Sequence, residues 1–361
     1  MAKKKAVALL FGGRSVEHAV SVNSARNIAE NLDKKRFNLL PIGISKQGKW
    51  YLTDGVHKDI EKGKPLGVVL DPKRPALMVL PGGKMLAMDV IFPVLHGTDG
   101  EDGSIQGLIK TLDIPMVGTG VLGSSMAMNK IIAKRLLRAA GLPVTDFAAF
   151  NYSDRAKINF SRISKTLGIP CMVKSASLGS SVGVSKVKNR KEFNQAVTEA
   201  FKYDDELLVE QYIEGREIEC AILGNYPPQA SNPGEIVISK GYEFYTFDAK
   251  YVDPKAVEIK VPAKLTRASV AKIRKASIRA FEALHCEDFA RIDLFLDKKG
   301  NIHINEINTI PGFTNSSMYP VMWKERGIGF AGLVTRLLNL AQERYDRRKR
   351  IERDFKSSLK F

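Results

Sequence analysis

The run "NEINTIPG", Asn305 to Gly312, ends an apolar stretch with polar residues at alternate positions and then bends at Pro311-Gly312. Just upstream, "RIDLFLDKKGNIHINEIN" reads as two strands joined by the turn Asp297-Lys-Lys-Gly300. Side chains two apart on a strand share a face. Arg291 therefore pairs with Asp293, and Glu306 with Asn308, so Asp293, Glu306 and Asn308 can converge as three oxygen donors. Hard oxygen ligands without His or Cys select Mg2+, which is commonly held by a few carboxylates together with nucleotide phosphates. The alternative is a solvated strand face balanced by Arg291. Polar residues set beside the apolar "LFL" and "IHI" fit that alternative less well.

A second stretch, "KSASLGSSVGV" at 174–184, puts two glycines and several small hydroxyl residues between strands. Backbone N–H groups of such a hairpin can close over phosphates, with Lys174 supplying charge, although any Gly-Ser hairpin has a similar composition. "GTGVLG" at 118–123 matches the dinucleotide fingerprint literally. That reading needs an acidic residue closing the next strand about twenty residues on, whereas Asp146 precedes the apolar "FAAF". No G-x-x-x-x-G-K-[ST] run occurs, which excludes a P-loop enzyme.

These residues need elements to hold them. Residues 5–11 read as a buried strand, followed after Gly12-Gly13 by a helix with Val16, Val20, Ile28 and Leu32 at multiples of four. Strand-like runs recur at "FNLLPIGI", "DVIFPVL" and "IPMV", which predicts an α/β domain with a mainly parallel sheet to about residue 127. Ligands of such sheets collect at strand C-terminal ends, where the Gly-Gly turn and "HGTDGEDGS" fall. "AMNKIIAKRLLRAA" at 127–140 predicts one helix, stopped by Gly141 and Pro143. Short strands "PCMVKSAS", "GVSKV", "ELLVEQYI" and "REIECAIL" follow, then "GEIVI", a polar loop at 240–256 and a long helix over 264–285.

Composition sets the outer bounds. A chain of 361 residues exceeds one comfortable core, so two or three domains are expected. No apolar run has the length of a bilayer span. The start "MAKKKAVALLFGG" reads as a buried strand and not a signal peptide, because its apolar part runs into Gly-Gly without a small-x-small site. Cys171, Cys220 and Cys286 lie far apart and read as reduced core thiols of a cytoplasmic protein. The formal charge of +17 is spread along the chain, and the basic tail from Arg344 interleaves Asp346, Glu352 and Asp354 as a solvated helix would. It favours an anionic small-molecule substrate over nucleic acid, for which no RRM, KH or zinc-finger pattern appears.

Together the pieces resemble the ATP-grasp ligases and, within them, the D-alanine–D-alanine ligase family. The resemblance spans nearly the whole chain: "FGGRSVEHAVSVNSA", "LHGTDGEDGSIQG" at 95–107, "MNK" at 128–130, "KSASLGSSVG", "VEQYIEGREIE", "DAKY" at 248–251, "ARID" and "NEINTIPGFTNSSMYP", in the family's order. It implies a three-domain ATP-grasp architecture, α/β and α+β. Residues 1–127 would form an N-terminal parallel-sheet α/β domain on the substrate side, 128–215 a central grasp subdomain, and 216–361 a C-terminal grasp subdomain with the metal and substrate site.

The resemblance also implies a reaction: ATP-dependent ligation of two D-alanines through a D-alanyl phosphate, for peptidoglycan precursor synthesis. By motif match, Lys130 and Lys174 hold the α- and β-phosphates and Lys250 reaches the γ-phosphate. Asp293, Glu306 and Asn308 hold two Mg2+ ions, with Mn2+ as a substitute. Adenine lies against Glu210, Gln211 and Ile213, and the ribose against Glu217. Arg291 and the Gly312 N–H stabilise the developing oxyanion, the glycine admitting close approach of the backbone. Ser317 and the Met318 N–H, with Lys250 nearby, bind the second substrate's carboxylate. Glu17 receives the first ammonium group and His96 stands on the substrate side. Ser180 and Tyr251 bond with Glu17 and tie the 240–256 loop over the site; a tyrosine there suits an amine nucleophile more than D-lactate. Ser175, where the family mostly has proline, and Gln211, often lysine, are departures. The expected partners are small molecules only, with no nucleic acid and no membrane insertion, in a cytoplasmic homodimer.

Overall fold

The computed structural model describes residues 3–71, 73, 76–180, 182–239, 256–352 and 354; Lys250 and Tyr251 lie outside them. The apolar start folds as the strand β1 (Lys5–Gly12), buried from Val7 onward. It runs parallel to β2 (Phe37–Ile44) on one side and β7 (Val90–Pro93) on the other. Between β1 and β2 the chain crosses over through α1 (His18–Glu30). The turn into that helix requires glycine, since Gly12 has φ +92° and a Cβ there would lie 2.3 Å from the Ile44 carbonyl.

Parallel pairing in this sheet is confined to β2–β1–β7 and a bridge from Ile91 to Met116. An antiparallel meander extends it through β3 (Trp50–Leu52), β4 (Lys64–Val69), β5 (Ala76–Val79) and β6 (Lys84–Ala87). The buried face of α1 is Ser21, Val22, Ser24, Ala25 and Ile28. Val16, expected on that stripe, precedes the helix and is 62% exposed. The helix starts two residues later than the spacing suggested, so the face rotates to bring two serines inward.

Helices α2 (Ser104–Thr111), α3 (Val121–Met128) and α4 (Lys130–Ala139) follow. The single helix predicted over 127–140 is therefore broken. Asn129 has extended ψ of 105° and its side chain accepts the N–H groups of Ile131 and Ile132, capping α4. The break places the Lys130 N–H on the Ala176 carbonyl at 2.9 Å.

A second, four-stranded sheet has the order β10-β9-β11-β8, built from β8 (Phe147–Asn151), β9 (Cys171–Ser175), β10 (Val184–Val187) and β11 (Glu206–Gln211). Helices α5 (Phe160–Leu167) and α6 (Arg190–Ala200) cover it. The third sheet contains β12 (Gly215–Leu223), β13 (Gln229–Ala230), β14 (Gly234–Ile238), β15 (Val257–Lys260), β16 (Phe289–Asp297) and β17 (Ile302–Asn308). Against it lie α7 (Arg267–Ala283) and α8 (Met318–Glu325), while α9 (Phe330–Arg348) packs on α8 and on β7 of the first sheet.

The first and third sheets share a core. Val7, Phe11 and Phe92 pack in one cluster with Phe289, Phe313, Tyr319 and Trp323. The rings of Phe92 and Phe289 stand edge-on to Phe313 at centroid separations of 6.2 and 5.8 Å. That packing anchors the segment just after Pro311-Gly312 on the N-terminal sheet. Cys171, Cys220 and Cys286 are all buried and unbridged, and burial pushes the Cys286 thiol up to about 12.

Candidate active site

The β16–β17 hairpin is the frame. In its register Arg291 faces Asn308 and Asp293 faces Glu306, so these four side chains gather at one end of the third sheet. Arg291 bonds Asp293 bidentately, Nε to Oδ1 and a terminal nitrogen to Oδ2, both at 2.7 Å. Asn308 Nδ2 donates to Asp293 Oδ2 at 2.9 Å. Lys130 Nζ lies 3.7 Å from Glu306 Oε2. Two partly buried carboxylates and an amide oxygen within reach of phosphate-binding cations form a donor set suited to a hard divalent ion. Among the described residues no group of three or more His, Cys, Asp or Glu is arranged for a metal. The third donor here is an amide, and phosphate oxygens would complete the shell.

Register also brings in a residue that alternation did not single out. A bulge between Asp293 and Leu294 pairs Leu294 with Ile304, leaving Asn305 as the extra residue. Asn305 Oδ1 thereby accepts Lys174 Nζ at 3.0 Å. Lys174 also pairs with Glu210 at 2.5 Å, and Lys134 reaches the other Glu210 oxygen at 2.7 Å. Burial raises the Glu210 carboxyl, but the charges of Lys134 and Lys174 outweigh it and pull the group down to about 2. Burial drives Lys134 the other way, lowering it against the attraction of Glu210.

Two cavities meet at this hairpin. One, about 390 Å³, runs between the second and third sheets and is lined by Lys130, Lys174, Glu210, Gln211, Ile213, Glu217, Asp293 and Glu306. Its apolar walls, Met172, Ile218 and Leu294 among them, suit a flat ring, and its lysines suit phosphates. The other, about 480 Å³, is lined by Glu17, His96, Arg291, Asn308, Gly312, Ser317 and Met318. Ser180 and Glu306 line both. Every site residue predicted from the sequence within the described residues therefore borders one of two adjoining cavities.

Glu17 occupies the residue before α1, is 7% exposed and accepts the Ser180 hydroxyl. Ser180, with φ of 53°, holds the left-handed backbone of the 174–184 hairpin tip. Lys130 Nζ bonds the Leu178 carbonyl at 2.6 Å, tying that tip to the start of α4. Ser317 Oγ accepts the Thr314 N–H at 2.9 Å, closing the turn before α8, and Met318 opens that helix. His96 is 4% exposed, and its ring bonds the Ile310 carbonyl through Nδ1 at 2.9 Å and Ser24 Oγ through Nε2 at 3.2 Å. Burial lowers its pKa despite the neighbouring Glu17 charge, so it is a neutral imidazole with its proton on Nδ1.

Sequence reasoning missed Glu219, whose Oε2 lies 2.9 Å from Arg291 Nε, and Glu101, whose two carboxyl oxygens accept the N–H groups of Gly97 and Ile310. Glu219 stands two residues after Glu217, a same-face signal like the one that found Asp293. Burial, with the Glu17 charge, pushes Glu101 up to about 8. The departures are accommodated: Ser175 is buried and bonds the Ala200 carbonyl at 3.0 Å, while Gln211 is exposed at the cavity mouth. At the dinucleotide look-alike, Gly118 and Gly120 donate their N–H groups to Asp288 and Glu287, so that turn is filled by the chain's own carboxylates.

Family models described as the D-ala D-ala ligase N-terminus and C-terminus match residues 6–119 and 136–339. The D-alanine–D-alanine ligase of Oceanobacillus iheyensis is 44% identical, with 97% of this chain and 98% of that protein covered. D-alanine–D-alanine ligase A of Escherichia coli strain K12 is also 44% identical, over 95% and 97%. Among solved structures, the D-alanine–D-alanine ligase of Coxiella burnetii superimposes with a TM-score of 0.87 at 37% identity, covering 97% of both chains. A D-Ala:D-Ser ligase of Enterococcus faecalis gives 0.85 at 34%, over 94% of this chain and all of that one. The chain thus belongs to the D-alanine–D-alanine ligase family, and its fold is that of the ATP-grasp enzymes.

Proposed function

We propose that the protein joins two D-alanine molecules to D-alanyl-D-alanine, with ATP cleaved to ADP and phosphate, to supply a cell-wall precursor. The observation that carries this is the adjoining of the two cavities at the Arg291–Asp293–Glu306–Asn308 hairpin. A nucleotide laid in the first cavity would bring its terminal phosphate to the wall of the second, where Glu17 can receive an ammonium group.

The carboxylate of the first D-alanine attacks the γ-phosphorus and ADP leaves, giving an acyl phosphate. The barrier is largely charge repulsion, so neutralisation and alignment do most of the work. Lys130 and Lys174 would hold the α- and β-phosphates, and Lys250 the γ-phosphate. Asp293, Glu306 and Asn308 would hold two Mg2+ ions, which supply charge neutralisation when bound; Mn2+ has the same ligand preference. Glu210, Gln211 and Ile213 would receive adenine and Glu217 the ribose.

The amine of the second D-alanine then attacks the acyl carbon, and the carbonyl oxygen gains negative charge. Arg291, fixed on the cavity wall by Asp293 and Glu219, and the Gly312 N–H stabilise it until phosphate departs. Ser317 and the Met318 N–H bind the second carboxylate. Tyr251 would complete a hydrogen-bonded set with Ser180 and Glu17, closing the 240–256 loop against water. The chain is proposed to work as a cytoplasmic homodimer of three units, 1–127, 128–215 and 216–361.

The test is product analysis with ATP and Mg2+ against D-alanine, L-alanine, D-lactate and D-serine. D-Alanyl-D-alanine with stoichiometric ADP is expected. Dipeptide absent with D-alanine, or formed equally from L-alanine, overturns the reading; sedimentation velocity reports the oligomer.

A further inference from the structure

The bend that carries Gly312 is gripped from outside its own sheet. Ile310 and Phe313 flank Pro311-Gly312, and all four of their backbone polar groups bond side chains of the N-terminal unit. The Ile310 N–H donates to Glu101 Oε1 at 3.1 Å, and its carbonyl accepts His96 Nδ1–H at 2.9 Å. The Phe313 N–H donates to Ser24 Oγ at 3.2 Å, and its carbonyl accepts Asn27 Nδ2 at 3.2 Å. These side chains also brace one another, Ser24 against His96 and Glu101 against the Gly97 N–H at 2.8 Å. Proline has no N–H, so the Gly312 N–H is the one donor of the bend with no partner among the described residues.

We propose that Ser24, Asn27, His96 and Glu101 form an inter-domain clamp whose task is to position the Gly312 N–H for the developing oxyanion. Glu101 is the principal positioning residue of the four, because its two oxygens join the His96-Gly97 turn to the bend. An oxyanion donor is effective only where it is preorganised, and a displacement of about 1 Å can cost roughly a hundredfold in rate. His96 belongs to this clamp: both ring nitrogens are engaged by protein atoms, so its influence on substrate passes through Ile310. The inference rests on the ligation reading above.

The test compares wild type with Glu101→Ala, Glu101→Gln and Ser24→Ala in D-alanine-dependent ADP release, with affinity for an ATP analogue measured in parallel. A donor acting in the transition state predicts loss in kcat with ATP KM within twofold. Glu101→Ala should lower kcat about 30- to 300-fold, scaled from the loss of an oxyanion donor. Glu101→Gln keeps one acceptor oxygen and should recover part of that loss, remaining at least threefold below wild type. Ser24→Ala should fall about three- to tenfold, with its analogue affinity unchanged. Should Glu101→Ala fail to fold, Glu101→Gln decides. A kcat within twofold of wild type in Glu101→Gln, or a loss that follows ATP-analogue affinity, overturns the clamp. Wild type that makes no dipeptide instead overturns the ligation reading, so the two failures are distinguishable.

Discussion

At the scale of single residues, the hairpin chemistry turns on which oxygen each cation holds. Arg291 is shared between Asp293 and Glu219, so replacing it removes a positive charge from the cavity wall and takes the shared cation from one buried and one partly buried carboxylate. Arg291→Met should lower kcat about 10²- to 10³-fold while the protein still binds an ATP analogue, because the cavity proposed for the nucleotide is lined by other side chains. Rapid-quench turnover beside a fluorescence titration checks it; equal loss of both would show that Arg291 serves nucleotide binding instead. Glu306→Gln keeps the shape and removes an anionic donor, so the Mg2+ concentration for half-maximal rate should rise about 10- to 100-fold, read by magnesium titration at fixed ATP. The convergence of Asp293, Glu306 and Asn308 on one end of the hairpin was legible in the sequence because strand alternation is a two-residue rule that needs little tertiary information. Asn305 was not, because a bulge breaks that rule and is decided by the partner strand. Glu101 was hidden for a different reason: its role depends on Ile310, 209 positions away.

At the scale of elements, the break between α3 and α4 shows a local signal overridden by a cap. The apolar spacing of 127–140 suits one helix, yet Asn129 ends one and begins the next, and Lys130 is then aimed at the Leu178 carbonyl and Glu306. Asn129→Ala removes a cap worth about 1 kcal/mol. It should lower the urea midpoint modestly while raising ATP KM about three- to tenfold, since the lysine is re-aimed. A stability loss with unchanged ATP KM would mean the break serves folding alone. The N-terminal sheet was legible where β1, β2 and β7 carry long apolar, buried runs. Its antiparallel extension was harder to read, because β4 and β6 are short and largely exposed. The start of α1 slipped because the apolar spacing begins at Val16, whereas Val16 is exposed, Glu17 is buried against the Ser180 hydroxyl, and the helix opens only at His18.

At the scale of the whole molecule, the long helix α9 is strapped to the rest by a buried ion cluster at the entry to β16. Arg344, 3% exposed, bonds Glu287 at 2.6 Å, Asp288 at 3.1 Å and the Met116 carbonyl. Asp288 also accepts the Gly118 N–H at 2.8 Å, so one carboxylate ties α9, the entry to β16 and the turn before α3 together. Burial raises Asp288 to about 6, against the pull of Arg344. The folded state therefore holds this proton more tightly than the unfolded chain, whose carboxyl titrates near 3.8. The stability contributed by that proton is fully present below 3.8 and is lost as pH rises through 6. Asp288→Asn abolishes the titration, so the stability difference between wild type and variant should change across this window and level off above it. Arg344→Met should act in the opposite sense. It leaves Glu287 and Asp288 without their buried cation, destabilising by about 3–5 kcal/mol at neutral pH. Part of that loss should return as the solution is acidified and Asp288 takes up its proton. Urea unfolding of all three proteins between pH 4 and 8 checks both signs, and a constant gap between Arg344→Met and wild type across that range would show that the cluster holds α9 by packing and not by charge.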